Sequence, residues 1–323
     1  MPKIVVLGEA LIDLFAEKGT ALHNARSLHP SPGGAPANVA VALARLGVNV
    51  GFIGKVGNDD FGRYLIELLA SEGVDITHFT IDPRGPTMLA IVARPSATEQ
   101  QFILYNGANS LLSADELSKE YIISAGTFIY SSITLATDGR DAVHQAVYWA
   151  NDAGNQVIFD VNLRPLLWAD LDMARQRINE SIDSATVVKM NEAELEFVTG
   201  TGNPVVGSQQ LINRGVQMCC VSLGADGAFF NNGNACGFVP SFSVDVKDTT
   251  GSGDAFVAGL GMQLNQLNKS VNSLDHLALY RIVSFANACG ALTTTKFGAM
   301  SALPKLSAVE KLRRHTELLN AQG

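Results

Sequence analysis

Short apolar runs alternate with amphipathic stretches along most of this chain, and no other feature constrains its fold so tightly. Residues 3–8, 49–54, 127–131, 156–161, 185–190 and 217–223 read as buried strands. Helical periodicity fills the intervals at 35–46, 60–73, 139–153, 170–183, 192–199 and 205–214, and returns at 253–268, 274–296 and 307–319. Strands and helices in this alternation require crossover connections, and therefore a largely parallel, Rossmann-like α/β sheet with helices on both faces. Ligands of such sheets bind beyond the carboxyl ends of the strands.

Two stretches break the rhythm. Residues 10–31 hold an apolar start, a turn-rich Glu17-Lys18-Gly19-Thr20 and a second extended piece. Residues 86–106 read as strands at 87–94 and 100–106 joined by the turn Pro95-Ser96-Ala97-Thr98. Together they predict a small antiparallel sheet projecting as a lid. No repeat, low-complexity tract or linker divides the chain, so residues 1–323 are expected to form a single domain with this lid inserted in an α/β core.

Composition narrows the function. The chain is 47% apolar and only 17% charged, against a usual charged share of about 25%, which excludes disorder as its main state. A net charge of −8 argues against a nucleic-acid partner but not against an anion held in one pocket. The N-terminal apolar run is too short for a signal-peptide core, and no stretch is long enough for a membrane span. The 4 cysteines have no metal-like spacing, and adjacent Cys219 and Cys220 fit a buried strand better than a disulfide; a cytoplasmic protein is expected. The 6 histidines show no metal spacing either.

The glycines, 30 in all, are partly concentrated where backbone must approach a ligand. Asp248-Thr249-Thr250-Gly251-Ser252-Gly253-Asp254 runs into a small-residue helix, Val257-Ala258-Gly259-Leu260. Such an entry turns N–H groups toward one point and adds partial positive charge, which suits a phosphate. A carboxylate there would repel a merely bound anion. It makes sense if Asp254 takes the proton of a hydroxyl attacking that phosphate. The Walker-type loop is absent. A second cluster, Gly33-Gly34-Ala35-Pro36-Ala37-Asn38, again brings backbone close to a ligand, with an amide that can both donate and accept.

Gly33-Gly34-x-Pro36-x-Asn38-x-Ala40 with Gly47 and Gly57 resembles the N-terminal signature of the ribokinase (phosphofructokinase-B type) sugar kinase family. Asp248-Thr249-x-Gly251-Ser252-Gly253-Asp254, followed by Ala258-Gly259-Leu260, resembles its C-terminal signature and departs at Gly261. The resemblance implies a ribokinase-like fold with a β-sheet lid and transfer of the γ-phosphoryl of ATP to a sugar hydroxyl. It makes Asp254 the base and the amides of Gly251, Ser252 and Gly253 the anion hole. It assigns the sugar to Asp13, Gly33, Gly34, Asn38, Asn162 and Arg164, and adds Tyr105, in a segment where fructokinases carry an arginine. Asp160-x-Asn162-x-Arg164 followed by Trp168 is similar to fructokinases and their near relatives.

On the nucleotide side the resemblance implies Lys189, Asn191 and Glu194, the latter two acting with Mg²⁺ largely through water, then Ser222, Gly224 and Gly227, with Asn287 by the adenine. It implies a K⁺ site at Asp248, Thr250, Thr293 and Gly298, modified because Ala302 stands where a serine is usual. The expected substrate is fructose, phosphorylated at its 6-hydroxyl, with 2-keto-3-deoxygluconate and aminoimidazole riboside as alternatives. A non-catalytic sugar-binding or regulatory protein is the rival from another class, disfavoured by the intact Asp254 and Gly251–Gly253. Sugar and ATP are then the partners, and the open edges of a small lid sheet point to a homodimer joined through it.

Overall fold

The computed structural model describes residues 1–96, 99, 101–267 and 269–320. Ala97 and Thr98 of the expected lid turn, Gln100 of the expected second lid strand and Asn268 of the expected helix 253–268 lie outside them.

The chain opens with β1 (Ile4–Leu7), leaves the core for β2 (Leu11–Ala16) and β3 (Leu28–Gly33), and returns through α1 (Ala35–Arg45) to β4 (Val50–Gly57), α2 (Asp60–Ser71) and β5 (Asp75–Asp82). A second excursion makes β6 (Leu89–Ala93) and β7 (Gln101–Tyr105). The core then resumes with α3 (Lys119–Ile123), β8 (Thr127–Ser131), α4 (Arg140–Asp152), β9 (Gln156–Asp160), α5 (Leu171–Asp183), β10 (Val187–Asn191), α6 (Glu192–Thr199), α7 (Pro204–Asn213) and β11 (Met218–Ser222). Hairpin β12 (Ala228–Asn231) and β13 (Cys236–Val239) precedes α8 (Ser252–Asn265), α9 (His276–Thr293) and α10 (Leu306–Asn320).

The main sheet has the order β13-β12-β11-β10-β9-β8-β1-β4-β5, parallel except for the β12–β13 hairpin at one edge. Side chains alternate across it. Ile4 and Val6 enter one core, with α1 and α8, while Val5 and Leu7 enter the other, with α4 and α5. Fully burying each such aliphatic side chain is worth about 1.5–3 kcal/mol, which is why both faces must be covered. The same alternation sends Cys220 to the first core and Cys219 to the second, so the two thiols point apart and both are free.

The lid sheet has the order β3-β2-β6-β7. It differs from the expected antiparallel sheet at its centre, where β2 and β6 pair in parallel; β3 and β7 are antiparallel to them on the outside. The reason is connectivity: β2 and β6 leave the same end of the core sheet, after parallel strands β1 and β5, and so run in one direction. Sequence periodicity also left out β5, β12 and β13. β5 and β13 lie at the two edges of the main sheet, where partial exposure blurs the apolar run, and β12, although buried, is only 4 residues long.

Candidate active site

A cavity of about 710 Å³ opens at the carboxyl ends of the core strands, roofed by the lid. Asp13, Gly34, Asn38, Asn162, Arg164, Lys189, Asn191, Glu194, Ser222, Gly224, Thr250, Gly251, Ser252, Gly253 and Asp254 all border it, although they come from segments scattered over the whole chain.

The floor is the start of α8. Gly251 enters the helix with φ 79°, a left-handed conformation natural to glycine, and Asp254 stands in the first turn. The first turn of a helix leaves its N–H groups without intrahelical acceptors. That of Ser252 is partly used, donating to the Thr249 carbonyl at 3.2 Å. Asn38, in the first turns of α1, donates its Nδ2 to Asp254 Oδ2 at 2.8 Å. Burial lifts the Asp254 carboxyl to about 6, with Asp160 pushing the same way; the Asn38 hydrogen bond, Arg164 and Lys189 hold it down. The result is a carboxylate still ionised at neutral pH yet basic enough to accept a proton.

Behind it, buried Lys189 donates to Asp160 Oδ1 at 3.0 Å. A Cβ at position 253 would stand 3.2 Å from Lys189 Nζ, so glycine there leaves room for the ammonium beside the helix start. Asn191 caps α6 reciprocally: its Oδ1 accepts the Glu194 N–H at 2.8 Å, and Glu194 Oε2 accepts the Asn191 N–H at 2.8 Å. Glu194 Oε1 accepts the Leu163 N–H at 3.0 Å. Asn162 has φ 36°, the sole left-handed non-glycine residue among the described residues, and its Nδ2 is buried without a partner. Asn38 Oδ1 and Glu9 Oε2 at the same cavity are likewise buried and unpartnered. Such atoms are uncommon in folded proteins, and their gathering at one cavity marks a place for a polar ligand.

The remaining expected residues do not border the cavity. Gly33 backs Asp13, against whose carboxylate any side chain would collide. Tyr105 shares the outer face of β7 with Ile103, whereas Phe102 and Leu104 of the same strand face inward; the one-residue alternation of a strand accounts for the difference. Gly227 is a left-handed turn packed on the Val239 backbone. Asn287 is buried and donates Nδ2 to the carbonyls of Val239 (3.0 Å) and Pro240 (3.2 Å), fastening the chain that leaves β13. Asp248 accepts from Thr250 N–H (3.1 Å) and Oγ1 (2.7 Å) and from Gly298 N–H (3.0 Å), tying the loop before α8 to the turn after α9, while Thr293 Oγ1 donates to the Cys289 carbonyl.

Sequence reasoning missed Arg94, just past β6. Its Nη1 lies 3.5 Å from Asp248 Oδ1 and its Nη2 donates to Thr250 Oγ1 at 3.3 Å, joining the lid to the loop before α8. Its signal was a lone cation after a lid strand, with nothing local to say where it pointed. Leu11, Phe15, Val92, Phe102 and Leu104 were also missed as cavity walls, because they read as ordinary strand residues.

The pfkB family carbohydrate kinase model matches residues 1–306. The chain belongs to that family. This carbohydrate kinase is 41% identical over 317 residues to fructokinase-1 of Zea mays, covering 96% of this chain and 97% of that protein. It is 40% identical to probable fructokinase-2 of Arabidopsis thaliana, covering 93% and 92%. Among solved structures it is similar to the ATP-bound fructokinase of Xylella fastidiosa, with TM-score 0.89, 32% identity and coverage of 98% and 100%. It is also similar to the aminoimidazole riboside kinase of Salmonella enterica, with TM-score 0.81, 34% identity and coverage of 96% and 99%. As a carbohydrate kinase it is a phosphotransferase acting on an alcohol group. Among the described residues no helix is long and apolar enough to cross a membrane.

Proposed function

We propose that this chain, acting as one sugar-kinase unit with its lid, transfers the γ-phosphoryl of ATP to the 6-hydroxyl of D-fructose. The observation that carries the reading is Asp254, buried at the start of α8 and hydrogen-bonded by Asn38, in a cavity whose other walls bring both sequence signatures together. Similarity to fructokinases over nearly the whole chain supports fructose as the substrate. The structure of the Vibrio cholerae enzyme with fructose, ADP and calcium, 33% identical at TM-score 0.86, gives further support.

In this reading Asp13, Gly34, Asn38, Asn162 and Arg164 hold the sugar, and Lys189, Asn191, Glu194, Ser222 and Gly224 serve the nucleotide. Asp254 accepts the proton of the 6-hydroxyl as the oxygen–phosphorus bond forms and the bond to the β-phosphate oxygen breaks, leaving ADP. Charge on the transferred group falls at the amides of Gly251 and Gly253, where a first-turn helix terminus is favourable to an anion. Lys189 lies just behind, within reach of that field.

The Asn191–Glu194 pair fits a hydrated cation rather than direct ligation, because its three oxygens already accept backbone N–H groups. Bound through water, Mg²⁺ would neutralise phosphate charge. For K⁺ the fit is weaker. Both Asp248 oxygens accept protein donors, Arg94 stands against one of them, and Ala302 contributes no side-chain oxygen. The steps above need no K⁺.

An ADP-release assay across fructose, 2-keto-3-deoxygluconate, ribose and aminoimidazole riboside tests the reading. Fructose should lead the others by about tenfold or more in kcat/KM, the scale of one net hydrogen bond. A riboside preference would overturn fructose, and no turnover with any sugar would overturn the enzyme. We also assign the chain to the cytoplasm and to a homodimer joined through the lid, whose edge strands β3 and β7 are open and carry exposed Leu28, Ile103 and Tyr105. Light scattering that finds a monomer at assay concentrations would overturn the dimer.

A further inference from the structure

Glu9 follows β1, is fully buried and borders the cavity, yet the steps above give it no task. One carboxyl oxygen, Oε1, accepts the Ala35 N–H at 3.1 Å. It thereby serves the start of α1, whose N-cap, Gly34, has no side chain to do so. The other oxygen, Oε2, is buried and has no partner. Across the helix start, Asn38 gives Nδ2 to Asp254, which leaves Asn38 Oδ1 buried and unpartnered as well.

Burial pushes the Glu9 carboxyl up to about 8; Asp254 adds to the rise, while its own N–H, that of Ala35, and Arg164 oppose it. At neutral pH the group therefore keeps its proton. Since Oε1 accepts an N–H, the proton belongs on Oε2. The cavity then holds a hydroxyl donor without an acceptor and an amide carbonyl without a donor, a pair complementary to alcohol groups, which both give and accept hydrogen bonds.

We propose that Glu9 is a specificity residue whose Oε2–H donates to a sugar hydroxyl other than the one facing Asp254. This rests on the carbohydrate-kinase reading of the same cavity. An uncharged donor suits a neutral polyol, because it recognises a hydroxyl without adding a second negative charge beside Asp254.

The test compares the wild type with Glu9→Ala and Glu9→Gln in steady-state kinetics on the sugar that the wild type prefers. Glu9→Ala should raise the sugar KM about ten- to hundredfold, the cost of stranding a buried polar group, with the ATP KM nearly unmoved. Glu9→Gln, whose amide can accept from Ala35 and donate into the cavity, should recover most of that loss. Among monodeoxy sugars, one should bind the wild type worse than its parent yet bind Glu9→Ala equally well. Glu9→Met, which fills the space without a donor, replaces Glu9→Ala if that variant does not fold, and calorimetric ATP binding reports folding in each. An active wild type whose Glu9 variants keep the sugar KM overturns the proposal alone. A fall confined to kcat also overturns it, since Glu9 would then be a positioning residue bonded to Asn38 Oδ1. A wild type that phosphorylates no sugar overturns this and the kinase reading together.

Discussion

Asp254 is buried, and the base role proposed for it also requires it to ionise; its neighbours divide over the two demands. Burial and Asp160 favour the neutral acid, while Asn38, Arg164 and Lys189 favour the carboxylate. The balance near 6 leaves the carboxylate ionised at neutral pH without making it too weak to accept a proton, as the proposed role needs. Asp254→Asn should bind sugar and ATP nearly normally and lose about 10²–10⁴ in kcat, the range for removing a general base. Wild-type turnover in that variant would reject the assignment. The same ionisation sets an acid limb: kcat/KM should fall as pH drops through about 6. Asn38→Ala, which removes a group favouring the carboxylate, should move that limb to higher pH.

At the scale of elements, charge fastens the core where the chain leaves for the lid's second excursion and where it returns. Lys55 of β4 is buried and donates to Asp82 at the end of β5 (3.0 Å), to Glu116 (2.7 Å) and to the Leu111 carbonyl (3.0 Å), so one ammonium ties the strand from which the chain leaves for β6 and β7 to the segment by which it returns. Removing one partner of a buried pair leaves uncompensated charge and costs about 3–5 kcal/mol. Here the lower end applies, because Arg84 also pairs with Asp82 and Glu116 is partly exposed. Lys55→Ala should therefore destabilise by about 3 kcal/mol in urea denaturation; a change below about 1 kcal/mol would mean the network is not structural. The Arg94–Asp248 contact is longer and half-exposed, and such pairs are worth about 0–1 kcal/mol to stability.

For the whole molecule, the site's acids leave a signature in stability. Glu9, Asp13 and Asp254 are raised to about 8, 7 and 6, each chiefly by burial. Because the folded values lie above the unfolded ones, the folded state holds these protons more tightly. Their contribution is whole below the ordinary carboxylate range and is lost as pH rises through 6 to 8. Asp82, Glu116 and Asp248 are lowered and act in the opposite sense, losing their stabilisation only in acid. The ligand-free protein should thus have a Tm that falls from pH 6 to pH 9, and Glu9→Gln should flatten the slope. A Tm that rises over that interval would contradict the burial of these acids.

The largely parallel core and the two glycine-rich signatures were legible in the sequence because both are local: apolar periodicity repeats every strand and helix, and glycines mark where backbone must turn. The sequence also pointed to the lid, but not to its parallel central pair, which follows from which end of the core its strands leave. Tertiary structure alone decided which side chains meet. Tyr105 falls outside the cavity by one step of strand alternation, Asn287 spends its amide on backbone carbonyls, and Arg94 reaches a loop more than 150 residues away. Glu9 and Asn38 acquire their unpartnered atoms only when β1, α1 and α8 converge, since hydrogen-bond satisfaction is a property of the packed neighbourhood and not of the residue.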